Sequence, residues 1–246
     1  MKPVQSPAKN LPPGWGEDEL TKFLQAAYEN QLGAFVQKAA AVQKLTAIDQ
    51  QFVTAAKTLR GPQNLIEALL LVRCHAAFRA ASGLAMAGQA ADVHPQCRAM
   101  LEDAAYAVHV HRDAAIGKVW LNRHQDAASL KASKKAFQHD AVVRSVTATN
   151  RQAAERFEKL YHHAIDFGGH PNERSVTGNM KMVKEPDQLT MLAVMQHGDG
   201  LEFDWALKFV AQCGMVSLEL LQVIFDAKFE LLGINAKMLA LRRAGI

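Results

Sequence analysis

Apolar residues recur every three to four positions through almost the whole of this 246-residue chain. Leu20, Phe23, Leu24, Ala27 and Tyr28 set the pattern, and Leu32, Phe35, Val36 and Ala39 continue it. That spacing is one face of an α-helix. Alanine is abundant, carries the highest intrinsic helix propensity and lets helices approach closely. With 49% of its residues hydrophobic, the chain has enough apolar surface for a large core. The expected fold class is therefore mainly α, a multi-helix bundle. It is expected to form one helical domain over residues 17–246, behind a flexible N-terminal arm, residues 1–16, with prolines at 3, 7, 12 and 13.

Breaks in the pattern divide the chain. The first helix should start near Glu17, and a second should cover 46–59 and stop at Arg60-Gly61-Pro62. A third, over 63–88, is apolar around much of its circumference and should be central. Helices over 92–112 and 113–122 follow. Asp126 is placed to cap a lysine-rich helix, and helical character runs on to about 166 with a break near His139-Asp140. The loop Phe167-Gly168-Gly169-His170-Pro171-Asn172 then interrupts the pattern, its glycines permissive and its proline stiff. Residues 175–183 and 189–195 flank Glu185-Pro186-Asp187-Gln188, which is turn chemistry. A small β-hairpin insert near 175–196 is expected, with two short helices as the alternative because Met and Leu serve both. A long apolar helix over 201–232, with Gly214 as a weak point, and a last short helix to about 243 complete the chain.

Composition excludes several function classes. A net charge of +4 and a sequence pI of 9.0 permit nucleic-acid contact without demanding it. Cys74, Cys97 and Cys213 are odd in number and widely spaced, which argues against a disulfide framework or a cysteine-based zinc site. The first residues are proline-rich and polar rather than a signal peptide, and the greasiest run, residues 65–72, ends at Arg73. No membrane span is expected, and a reducing cytoplasm is the expected setting. No phosphate-binding loop or nucleophile elbow is present, so no cofactor is expected.

Four constellations offer chemistry. Arg98 and Glu102 stand four apart on one helix and face each other. Tyr161, His162, His163, Asp166, His170 and Asn172 cluster at the end of another helix and in the loop beyond it. Their side chains include metal-ligand types, but no metalloenzyme motif is present and no metal is expected. His139-Asp140, with His109, His111, Asp199 and Asp204, follows the ligand order of helical HD phosphohydrolases, yet its surroundings read as a helix junction. Arg156 and His163, seven apart, share a helix face in the manner of HEPN-type ribonucleases, although Phe157 stands where that family has a polar residue.

Over residues 65–200 the arrangement resembles a group of bacterial all-helical proteins of unknown function that are distantly HEPN-like. The resemblance lies in Ala85-Met86-Ala87-Gly88-Gln89, in Arg98-x-x-x-Glu102, and in Tyr161 ahead of His170-Pro171-Asn172. It implies a bundle in which Arg98, Glu102, Tyr161 and His170 meet. Two functions are expected from these residues. The first is a binding or interaction protein whose polar cluster, Arg98, Glu102, Tyr161, His170 and Asn172, fixes packing or holds a small anionic ligand. A homodimer joined by Phe209, Val216, Leu220, Leu221, Ile224 and Phe225 belongs to this reading, with burial of that face within the monomer as the alternative. The second is a ribonuclease or nucleotide hydrolase in which Arg98 or Arg156 stabilises phosphate charge and His170 or His163 acts as general acid or base, with Arg156 and His163 the HEPN-like pair.

Overall fold

The computed structural model describes residues 11–57, 59, 65–169, 171–185 and 188–246. The expected arm up to residue 10, the Gly61-Pro62 stop, the Pro186-Asp187 turn and His170 lie outside them. Helices α1 (Glu19–Gln37), α2 (Ala39–Lys57), α3 (Leu65–Met86), α4 (Val93–Arg112) and α5 (Ala114–Leu121) come first. Then follow α6 (Ala127–Ala136), α7 (His139–Thr149), α8 (Arg151–Ala164) and α9 (Glu173–Thr177). Strands β1 (Met180–Glu185) and β2 (Gln188–Ala193) precede α10 (Leu201–Leu231) and α11 (Ile234–Arg243). The fold is thus a mainly α bundle carrying a small hairpin.

Short polar side chains set many of the helix starts. Asp18 accepts from Thr21 N, Asp126 from Ser129 N and Asn150 from Ala153 N, each satisfying an amide that has no partner within its helix. Asn172 and Ser175 exchange bonds in a capping box at α9. Asn150, which the periodicity did not mark, therefore separates α7 from α8. The first two helices also divide earlier than expected, at Lys38, whose ammonium reaches Asp199 and Asp204 at 2.6 Å each. The hairpin prevails over the two-helix alternative: β1 and β2 pair antiparallel from Met180 opposite Ala193 to Glu185 opposite Gln188.

The core is built around α3, α4 and α10. Phe78 of α3, Met100 and Leu101 of α4, and Phe203, Leu207 and Leu218 of α10 are all nearly or wholly buried. α2 adds Ile48 and Phe52, and α8 adds Ala153, Phe157, Tyr161 and Ala164 at helical spacing. Gly214 is a point of close packing rather than of weakness. A Cβ there would stand 2.7 Å from the Phe78 ring, and the irregular backbone of α10 falls instead at Phe225. α3 is central, as its apolarity predicts, but Leu65, Leu69 and Val72 remain more than half exposed along one side.

Two expectations change here. By length and hydropathy, α3 and α10 both suffice to cross a bilayer, which the short apolar run over residues 65–72 did not suggest. Burial within the fold takes up 72% of the apolar window of α10 and 39% of that of α3. For α10, packing against the other helices accounts for most of the apolarity. The face of α10 assigned to a homodimer is covered by the same chain: Phe209, Val216, Leu220, Leu221 and Phe225 are buried.

Candidate functional site

Helices α4, α7 and α8 bring Arg98, Glu102, Tyr161 and His139 together. Arg98 Nε donates to Glu102 Oε1 at 2.9 Å, and the Tyr161 hydroxyl donates to the same oxygen at 3.1 Å. The guanidinium carbon lies 5.8 Å from the Tyr161 ring centroid, and His139 stacks on that ring at 4.6 Å and 12°. Burial, with the Glu102 carboxylate next, pushes the Tyr161 phenol up to about 12, so it stays a donor at neutral pH. Arg98 and Glu102 are about 30% exposed, and an i,i+4 pair of this kind contributes only about 0.3–0.5 kcal/mol. Its consequence is geometric: it fixes α8 against α4.

A second group surrounds a cavity of about 550 Å³ between the start of α4, the end of α8 and the start of α10. Its walls include His94, His163, Phe167, Trp205 and Met180. His94 lies within 6 Å, centroid to centroid, of His163, Phe167, Trp205 and Phe209, and Trp205 stacks on Phe209 at 5.0 Å. Beyond α8 the chain loosens into a π-helical turn, Ile165–Gly169, of a kind frequent at functional sites. Gly168 allows the close approach, because a Cβ there would lie 2.8 Å from the Ala91 carbonyl oxygen and 3.0 Å from His94 Cβ. Across the mouth, His197 N donates to Gly88 O at 2.7 Å. Gly88 holds φ +80, and any Cβ there would strike the His197 carbonyl.

His94 Nδ1 donates to Ala91 O at 2.9 Å, which leaves Nε2 as a bare acceptor. That Nε2 and His163 Nε2 are both buried with no hydrogen-bond partner. Burial pushes His94 down to about 4 and lowers His163, so both rings are neutral at pH 7.

A pH dependence follows. The folded state resists protonating His94, so stability present above about 6.5 is lost as pH falls toward about 4. The full effect is about 3 kcal/mol. Asp103 opposes it. Burial outweighs its Arg73 partner and raises the carboxyl to about 6, so its charged form costs stability as pH rises from 3.8 through 6. Urea unfolding at pH 7.5 and 4.5 separates the two. His94→Leu should lose less stability than the parent on acidification, and Asp103→Asn should lose more.

The other expected residues are dispersed. Asn172 caps α9, and its amide reaches Ile165 O at 3.4 Å. Arg156 and His163 do not share a site. Arg156 grips buried Glu219 with two bonds of 3.0 and 3.2 Å, beside a separate cavity of about 320 Å³. His163 lines the aromatic cavity. The HD-like set also scatters: His109 bonds Ser145 and Ala136 O, His111 meets Glu67, and Asp199 and Asp204 hold Lys38. His162 instead groups with His139 and Glu158.

Sequence reasoning missed His94 and Trp205. His94 sits two residues past the cap of α4 and looks like any helical histidine, while Trp205 reads as one more apolar position of α10. A polar residue in the first turn of a buried helix was the available signal. Comparison with protein-family models, curated proteins and solved structures finds no match, so function is argued from this chain's own geometry.

Proposed function

We propose that this protein is a helical binding protein whose ligand is a small, largely apolar molecule bearing a hydrogen-bond donor. The observation that carries this reading is the unpartnered His94 Nε2 acceptor, with the unpartnered His163 Nε2 near it, in the wall of an aromatic cavity. A buried acceptor with nothing to accept costs free energy, which a donor-bearing ligand would recover. An apolar pocket with a few convergent polar groups is the usual form of a small-molecule site, and 550 Å³ lies within its normal size range. Arg98 is engaged by Glu102 and Tyr161, which supports the packing role of that cluster over anion binding. The Arg156–His163 version of the ribonuclease reading gains no support, since the two residues line different cavities.

Indole and indene are matched probes, alike in shape but differing in the N–H donor. In calorimetric titration indole should bind more tightly, by up to about tenfold, the worth of one net hydrogen bond. Replacing both histidines, His94→Phe with His163→Phe, should abolish that preference, with circular dichroism checking the fold. Equal binding of indole and indene to the parent protein would reject the proposal.

A further inference from the structure

His139, Glu158 and His162 each present one ligand atom, and the three atoms lie within 4.8 Å of one another. Glu158 and His162 are four apart on α8 and so project from one side of it. His139 comes from the first position of α7, where Gln138 ends the break after α6. Its ring is set by packing on both sides of the group: it stacks on Tyr161 at 4.6 Å and meets His162 edge-on at 5.6 Å. Tyr161 is itself held by Glu102. The Arg98–Glu102–Tyr161 network therefore ends at this histidine and fixes where it stands.

The three donors share a further property. His139 Nε2 is buried and has no hydrogen-bond partner. Glu158 forms no ion pair among the described residues, although its helix neighbours Glu155 and Arg156 are both paired. His162 touches His139 and Tyr161 only through its ring. Two imidazoles and a carboxylate are the ligand set of open zinc sites, with Zn–N and Zn–O of about 2.0–2.2 Å, and of facial-triad iron(II) sites.

We infer that His139, Glu158 and His162 form a binding site for a divalent transition metal, zinc foremost, which leaves a coordination position open to solvent. Around a tetrahedral ion the ligand atoms stand about 3.3 Å apart. Side-chain rotation of exposed His162 and half-exposed Glu158 closes the present separation, while stacked His139 stays in place. None of the three residues lines the aromatic cavity, so the inference does not depend on it.

Equilibrium dialysis of the full chain against zinc, with metal counted by elemental analysis, tests this. The parent should retain one equivalent. Glu158→Gln and His162→Ala change exposed or half-exposed side chains with no internal bond to lose, so they should fold. Each should weaken retention by more than about 100-fold, because even partners outside the ligand shell are worth about 10–100-fold. Surface His124→Ala should retain the metal. Cobalt(II) added in place of zinc should give the intense visible absorption of a low-coordinate site, lost in both variants. Failure of the parent to retain zinc, or equal retention by Glu158→Gln, His162→Ala and the parent, would overturn the inference.

Discussion

Phe78→Ala should lower the thermal midpoint by roughly 6–20 °C, the equivalent of about 3–5 kcal/mol in a chain of this length. Phe78 is 1% exposed. Its ring lies 5.5 Å from that of Phe52 and covers Gly214, whose missing Cβ leaves room for it. Gly214→Ala alone adds a methyl within 3 Å of that ring, and overpacking of this kind costs about 1–3 kcal/mol. In the Phe78→Ala background the same methyl enters the space the ring has left, and the helix gains about 1 kcal/mol from replacing glycine. Gly214→Ala should therefore destabilise the parent and stabilise the variant. Additive effects in this double-mutant cycle would mean that the two residues do not define a shared contact.

The second large effect concerns Glu219. Its carboxylate is 4% exposed and is neutralised by Arg156 and Arg242. Arg156→Met removes the two-bond partner and leaves a buried charge undercompensated, at a cost of about 3 kcal/mol. Adding Glu219→Leu should recover most of that loss, because a well-packed apolar pair replaces a buried ionic one at little net cost. Urea midpoints measure both steps. An unchanged midpoint for Arg156→Met would show that Arg242 alone suffices.

Helix identity was legible wherever local chemistry decided it. Asp126 announced α6, and the long apolar run over 201–232 announced α10, although the face expected to join a homodimer is packed in the core. Proline and aspartate between two short apolar runs signalled the hairpin. The division at Lys38 was hidden because its partners Asp199 and Asp204 are distant in sequence, and that at Asn150 because no glycine or proline stands beside the cap. The site was less legible for the same reason. Arg98 and Glu102 are four apart, so their pairing is local, whereas the meeting of His94 with His163 depends on packing between α4 and α8. Glu158 and His162 share a helix, but the third member of their group, His139, comes from another helix across a break. Attention to His162 looked forward to Asp166, which instead faces Arg174 at 3.6 Å.

The hairpin has a consequence for how this protein breathes. Met182, Leu189 and Met191 stand more than half exposed, so the strands gain little from burial. Near their base the segment is tied down by His197 to Gly88 and by Gln196 to Phe23. An isolated two-stranded hairpin is only marginally stable. Amide protons of β1 and β2 therefore exchange through a local opening of small free energy, while those in the middle of α10 wait for global unfolding. Met180 and His197 belong both to that base and to the cavity wall. The same fluctuation that frees the strand amides thus shifts part of the aromatic cavity's wall, and the protection of a few backbone protons becomes a gauge of how often that wall moves.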